Sequence, residues 1–181
     1  MDFQKSLKQA WEILTLKEPT MHAVAKDPEA LTPALLMVGL GSLGTAVGMM
    51  RFPSVVGEVY YSLGWGDAVA QAALATIFGV AVLYITGYFA EKVFHSKLDM
   101  NGYVRVIGYA SLVNVLGILP ALSMVSWIWG LVVMCTLLSR LGKMQAGQIF
   151  LLILIELLVL VGLGLVMMVF GLGLGMESMW F

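Results

Sequence analysis

The sequence predicts an all-α, polytopic integral membrane protein: five transmembrane helices behind an N-terminal amphipathic helix, N-terminus in the cytoplasm and C-terminus outside. Composition gives the class, since 60% of the 181 residues are hydrophobic, 12% are charged and the mean hydropathy is +0.94, far from the soluble globular range. Charge placement gives the spans, because from Thr32 onward charges fall almost entirely between apolar runs. Lysine and arginine placement gives the orientation. A net charge of -1 with no Lys/Arg cluster excludes a nucleic-acid partner, which needs a concentrated basic surface. Residues 1–31 read as a cytoplasmic head and 32–181 as one transmembrane domain.

In the head, Phe3, Leu7, Trp11 and Leu14 share one helical face, with Gln4, Lys5, Lys8 and Glu12 opposite, until Pro19 stops the helix. Such a helix lies in the headgroup plane, caps the bundle or receives a partner helix. The first thirty residues lack the apolar core and cleavage site of a signal peptide, so the segment is expected to persist in the mature chain.

A helix needs about 20 apolar residues to cross the ~30 Å hydrocarbon layer. The first span, about 33–50, is expected to start at Thr32-Pro33, an N-cap followed by proline at the first helical position. The outer segment from Arg51 to Asp67 carries Phe52, Tyr60, Tyr61 and Trp65 and reads as an interfacial loop or short surface helix. Span two, about 68–90, is flanked by Asp67 and Glu91. The uncharged stretch from Val106 to Ser139 is too long for one crossing, so Pro120 marks a turn between two short spans, about 104–119 and 122–139. Trp127 and Trp129 are expected near one interface. Span five lies at about 149–172.

Nine of the ten basic residues then share one side: Lys5, Lys8, Lys17 and Lys26 before span one, Lys92, Lys97 and Arg105 before span three, Arg140 and Lys143 before span five. Arg51 alone is opposite, beside Glu58, Asp67 and Glu177. The positive-inside bias therefore sets the N-terminus in the cytoplasm.

Few residues point to chemistry. Gly39, Gly41 and Gly44 spell GxGxxG, but that fingerprint works only where a strand turns into a helix. Gly44 and Gly48 form a GxxxG step, which lets helix backbones approach within the bilayer, and Gly162, Gly164, Gly171, Gly173 and Gly175 read the same way. Asp99 and Asn101 lack the acid a calcium loop needs at Ala110. His22 and His95 stand in polar segments without a zinc spacing, and the only cysteine, Cys135, offers neither a disulfide nor a thiolate metal site. The membrane serines have no base. No catalytic, cofactor-binding or metal residues are expected, and no enzyme activity. Glu156 differs, because an acid in an apolar run costs at least ~2.5 kcal/mol near the bilayer centre and is a site hypothesis by default. Asn114 lies at comparable depth, and Arg105 is within snorkelling reach. The three suit an interhelical polar clamp or a proton or solute site, and Glu156 alone also suits placement near the interface.

Trp11, Glu18-Pro19-Thr20, the first span after Thr32-Pro33, and the run Gly102-Tyr103-Val104-Arg105-Val106-Ile107-Gly108-Tyr109-Ala110 entering span three together resemble the Yip1 domain family, over about Trp11 to Gly175. The Asp-Leu-Tyr-Gly-Pro stretch of eukaryotic members is missing, which points to the bacterial branch and away from Rab GTPase binding. The resemblance implies five spans with the N-terminus in the cytoplasm and a non-enzymatic role in membrane organisation, as a scaffold or adaptor working with lipids and other membrane proteins. It would sit in the cytoplasmic (inner) membrane if bacterial, self-associating through its glycine-rich faces. The alternative is a small-solute or proton permease using Glu156, Asn114 and Arg105.

Overall fold

The computed structural model describes residues 2–51, 54–56, 59–61 and 64–169. Seven α-helices run α1 Phe3–Leu14, α2 Glu18–Lys26, α3 Leu31–Arg51, α4 Trp65–Tyr88, α5 Met100–Ala110, α6 Pro120–Arg140 and α7 Ala146–Val169. Between α3 and α4 the backbone forms an antiparallel ribbon of β1 Ser54–Val56 and β2 Val59–Tyr61, with Val55 opposite Tyr60. Of the interfacial loop or short surface helix expected there, the described residues form no helix but extended chain, as a run of valine and tyrosine favours. Phe52, Glu58, Glu177 and the last residues of span five lie outside the described residues.

Among the described residues, four helices are long and apolar enough to cross a membrane: Pro28–Arg51, Trp65–Val93, Ala121–Arg140 and Ala146–Leu163. The first begins earlier than Thr32-Pro33. Asp27 caps a 3-10 turn, Pro28–Ala30, by accepting from Glu29 N at 3.0 Å, and the turn runs straight into α3. The Asp27-Pro28 pair supplies the cap and rigid first residue that Thr32-Pro33 were expected to supply.

The head holds two helices where one was expected. Asp2 caps α1 through Gln4 N and Lys5 N. α1 ends at Leu14, and Leu16 turns the chain with a left-handed φ of 61°. Pro19 does not stop α1; it sits in the first turn of α2, where a missing N–H costs nothing.

The third expected span is an α-helix that tightens half-way. α5 continues as a 3-10 helix, Ser111–Ile118. Val113, Asn114, Val115 and Gly117 are all poor helix formers, and neighbours also bond the carbonyls of this stretch: Thr45 donates to Asn114 O at 3.4 Å and Ser126 to Val113 O at 3.1 Å. Leu119 is extended (φ -107°, ψ 114°), as a residue before proline must be, and Pro120 opens α6.

α3 runs parallel to this segment in backbone contact. A Cβ on Gly108 would stand 2.8 Å from Ala34 Cβ, one on Gly44 2.6 Å from Val115 Cα, and one on Gly41 or Gly48 would overlap the Ser111 or Gly117 carbonyl. The 3-10 rise of ~2.0 Å per residue makes eight residues ~16 Å long, against ~12 Å for an α-helix, so the segment keeps pace with α3.

The basic segments meet at one end of the bundle. Lys97 N donates to Gly142 O at 2.9 Å, Gln148 Nε2 to Phe94 O at 3.4 Å, and Arg140 pairs with Glu18 at 3.2 Å. One core joins head and bundle there, with Ile13, Met21, Val24, Met37, Tyr103 and Leu137 fully or almost fully buried.

Gly48→Ala should lower unfolding stability in detergent by about 1–3 kcal/mol through overpacking. Gly162→Ala, where a Cβ meets nothing within 4 Å, should be neutral or slightly stabilising. Denaturant titration of both variants checks this.

Candidate functional site

Two places concentrate the residues singled out above: the outer face of α1 and a half-open cavity between the helices.

α1 presents two faces. Ser6, Ala10 and Ile13 are buried against the bundle, and Leu14 packs at the edge of the same core. Phe3, Leu7 and Trp11 point away and are 47%, 37% and 68% exposed. Leu14 therefore separates from the other three residues of its expected face. The helix is fastened at several points. Trp129 Nε1 donates to Leu14 O at 2.9 Å, and Tyr109 Oη to Gln9 Oε1 at 3.3 Å. Trp129, expected near one interface, holds the head from nine residues along α6. Arg105, expected within reach of Glu156, donates from Nη1 to Ala25 O of α2 at 2.6 Å. Its guanidinium caps the end of α2, where the last carbonyls of a helix attract a cation.

Glu12 clasps α1 to α2, accepting from Thr20 Oγ1 at 2.7 Å and pairing with Lys17 at 3.4 Å. The Thr20 hydrogen bond, opposed by burial and helped by Lys17 and Lys8, holds the carboxyl below the ordinary carboxylate range.

The second place is a cavity of about 450 Å³ between α3, α4, the α5/3-10 segment, α6 and α7. Glu156 and Asn114 both line it, so the structure brings these two together and leaves Arg105 outside. Tyr103, Ile107, Ala110 and Asn114 reach it from successive turns of one face, and Glu156, Leu160 and Leu163 from α7. Trp127 and Phe78 add aromatic walls. Tyr103 is 1% exposed, and neither its hydroxyl nor Glu156 Oε2 has a hydrogen-bond partner among the described residues. Tyr103 and Trp127 were not among the expected site residues. The spacing of 103, 107, 110 and 114 on one helical face is the signal that would have found the tyrosine.

Gly44 and Gly48 face the 3-10 segment of their own chain. His22 and His95 are exposed on separate segments.

The family profile of the Yip1 domain matches residues 11–169. The chain belongs to the Yip1 domain family. No curated protein and no solved structure matches it. The Yip1 domain begins at Trp11, within α1, and takes in α2 through α7. The head clasp, the glycine seam and the cavity all fall inside it.

The clasp carries a pH dependence of definite sign. A carboxyl lowered in the folded state supports the fold fully above its unfolded value and loses that support as pH falls through the lower folded value. With a nitroxide at position 8 in a Cys135→Ala background, label mobility should be constant above the ordinary Glu value of ~4.3 and rise below it. In Glu12→Ala the pH step should be lost, with α1 still seated by its bonds to α5 and α6.

Proposed function

We propose that this Yip1 domain protein is a non-enzymatic membrane scaffold that shapes or organises the bilayer around it, using the face of Phe3, Leu7 and Trp11. The observation that carries this is the height at which α1 is fastened. Trp129 holds Leu14 nine residues from the Pro120 end of α6, or ~14 Å of helix. The hydrocarbon layer is ~30 Å thick. The exposed apolar face of α1 interrupts the bundle wall there, whereas α4 and α7 are exposed apolar helices long enough to cross the layer. A lipid layer meeting walls of unequal height thins or tilts to match them, and a helix inserted in one leaflet displaces headgroups on that side alone.

The reading has five crossings, counting Met100–Ile118 as a short third span whose 3-10 half lengthens it. Its direction agrees with the parallel run of α3 and α5, and it puts the basic end of the bundle in the cytoplasm. The partners are lipids, other membrane proteins and further copies of the chain. With Gly44 and Gly48 occupied internally, self-association falls to the exposed α7 face around Leu158, Val161 and Gly162.

The cavity supports a second reading, a small-solute or proton permease using Glu156 and Asn114. The two readings part in one experiment. In defined liposomes, the parent should reduce vesicle diameter relative to protein-free controls, and the triple variant Phe3→Gln, Leu7→Gln, Trp11→Gln should not, at equal insertion. Unchanged diameters in the parent would overturn the scaffold reading. Proton or small-ion flux that vanishes in Glu156→Gln would establish the permease in its place. Deleting α1 outright is the wrong test, since Ala10 and Ile13 belong to the core.

A further inference from the structure

We propose that the cavity between α3 and α7 is a binding site for a hydrophobic ammonium, a compact apolar body carrying one protonated amine. The site rests on neither reading above, because binding requires neither bilayer shaping nor passage across it.

The argument starts from what the polar lining can offer. Glu156 presents a carboxyl, Tyr103 a phenol and Asn114 an amide, each with an oxygen that can accept a hydrogen bond. The hydroxyls of Ser111 and Ser126 already donate, to Ile107 O at 2.9 Å and to Leu122 O at 2.9 Å, so toward the cavity they too offer lone pairs. Among the described residues no lysine, arginine or histidine lines the space. An anion would find an acid and no cation there. A neutral alcohol would use one donor and leave the carboxyl unpaired.

An ammonium brings three donors and one positive charge, matching the carboxyl and the two further acceptors. Charge burial is costly unless paired and hydrogen-bonded, and this arrangement does both. Trp127 and Phe78 are among the lining residues, and aromatic rings attract a nearby cation. The unpartnered Tyr103 hydroxyl, on a residue 1% exposed, is the second and independent mark of a ligand, since buried polar groups are satisfied as a rule. The remaining walls are aliphatic and suit an apolar body.

The amine can come from a small free molecule or from the headgroup of an aminophospholipid, and the test separates them. The purified full chain is equilibrated with three probes that share one apolar cage and differ in headgroup: 1-aminoadamantane, 1-adamantanol and adamantane-1-carboxylate. The parent should bind the amine at least tenfold more tightly than the alcohol, with the carboxylate weakest. Glu156→Gln, which keeps shape and removes the charge, should abolish the preference. Tyr103→Phe should weaken the amine several-fold and leave the alcohol unchanged, and it keeps the test alive if Glu156→Gln does not fold. Repeating the titration in nanodiscs of phosphatidylcholine with and without phosphatidylethanolamine assigns the source. Competition by the ethanolamine lipid identifies a headgroup ligand, and its absence a free amine. No binding of the amine by the parent, equal binding of amine and alcohol, or undiminished amine binding in both variants would overturn the proposal.

Discussion

The fold depends on one close contact, the backbone seam between α3 and the 3-10 stretch after α5. Gly41, Gly44 and Gly48 bring the two segments together at a distance that no side chain permits, against Ser111, Val115 and Gly117. Within a bilayer, where apolar burial gives helices little reason to associate, such packing is the main source of cohesion. The seam has two ends, and each fixes something else. At one end, Leu119-Pro120 reverses the chain and launches α6. At the basic end it continues through Gly108 against Ala34, setting α5 upright as the post around which the head is wrapped.

Because α5 is fixed, the head is fixed. Tyr109 and Arg105 project from the post to Gln9 and Ala25, while Trp129 and Arg140, about three turns apart on α6, take Leu14 and Glu18. Most of these bonds reach backbone carbonyls or lie between large side chains, so they define a position as well as an attraction. The outward face of α1 is thereby held at a set height and angle on the bundle wall. The same post carries Tyr103 and Asn114 into the cavity on one face, so the surface and the interior share a single structural element.

Much of the architecture was legible in the sequence because the membrane imposes a simple rule. Apolar runs of a given length between charges read as crossings, and among the described residues four helices long and apolar enough to cross a membrane lie in such runs. The third expected span was harder, because apolarity does not distinguish α from 3-10 geometry; only Val113, Asn114, Val115 and Gly117, read for propensity, hint at the change. Asp27-Pro28 displaced Thr32-Pro33 as the start of the first long helix, since both pairs carry the same capping chemistry and only packing decides between them. Pairings distant in sequence were the least legible. Trp129 looked like an interfacial tryptophan and Arg105 like a snorkelling cation, and both turned out to hold the head, 115 and 80 residues away along the chain. Glu156 and Asn114 were found because a polar group in hydrocarbon stands out by itself. Tyr103 passed unnoticed because a tyrosine in a membrane helix does not.

The central claim is that the head is a rigid part of the bundle in the bilayer. It is tested most directly by the distance between nitroxides at the exposed positions Lys5 and Ser139, introduced as cysteines in a Cys135→Ala background and measured by pulsed electron resonance in liposomes. The account predicts one narrow distribution, the same in vesicles of different lipid composition. A broad or two-peaked distribution would show that α1 leaves its seat, and would contradict it.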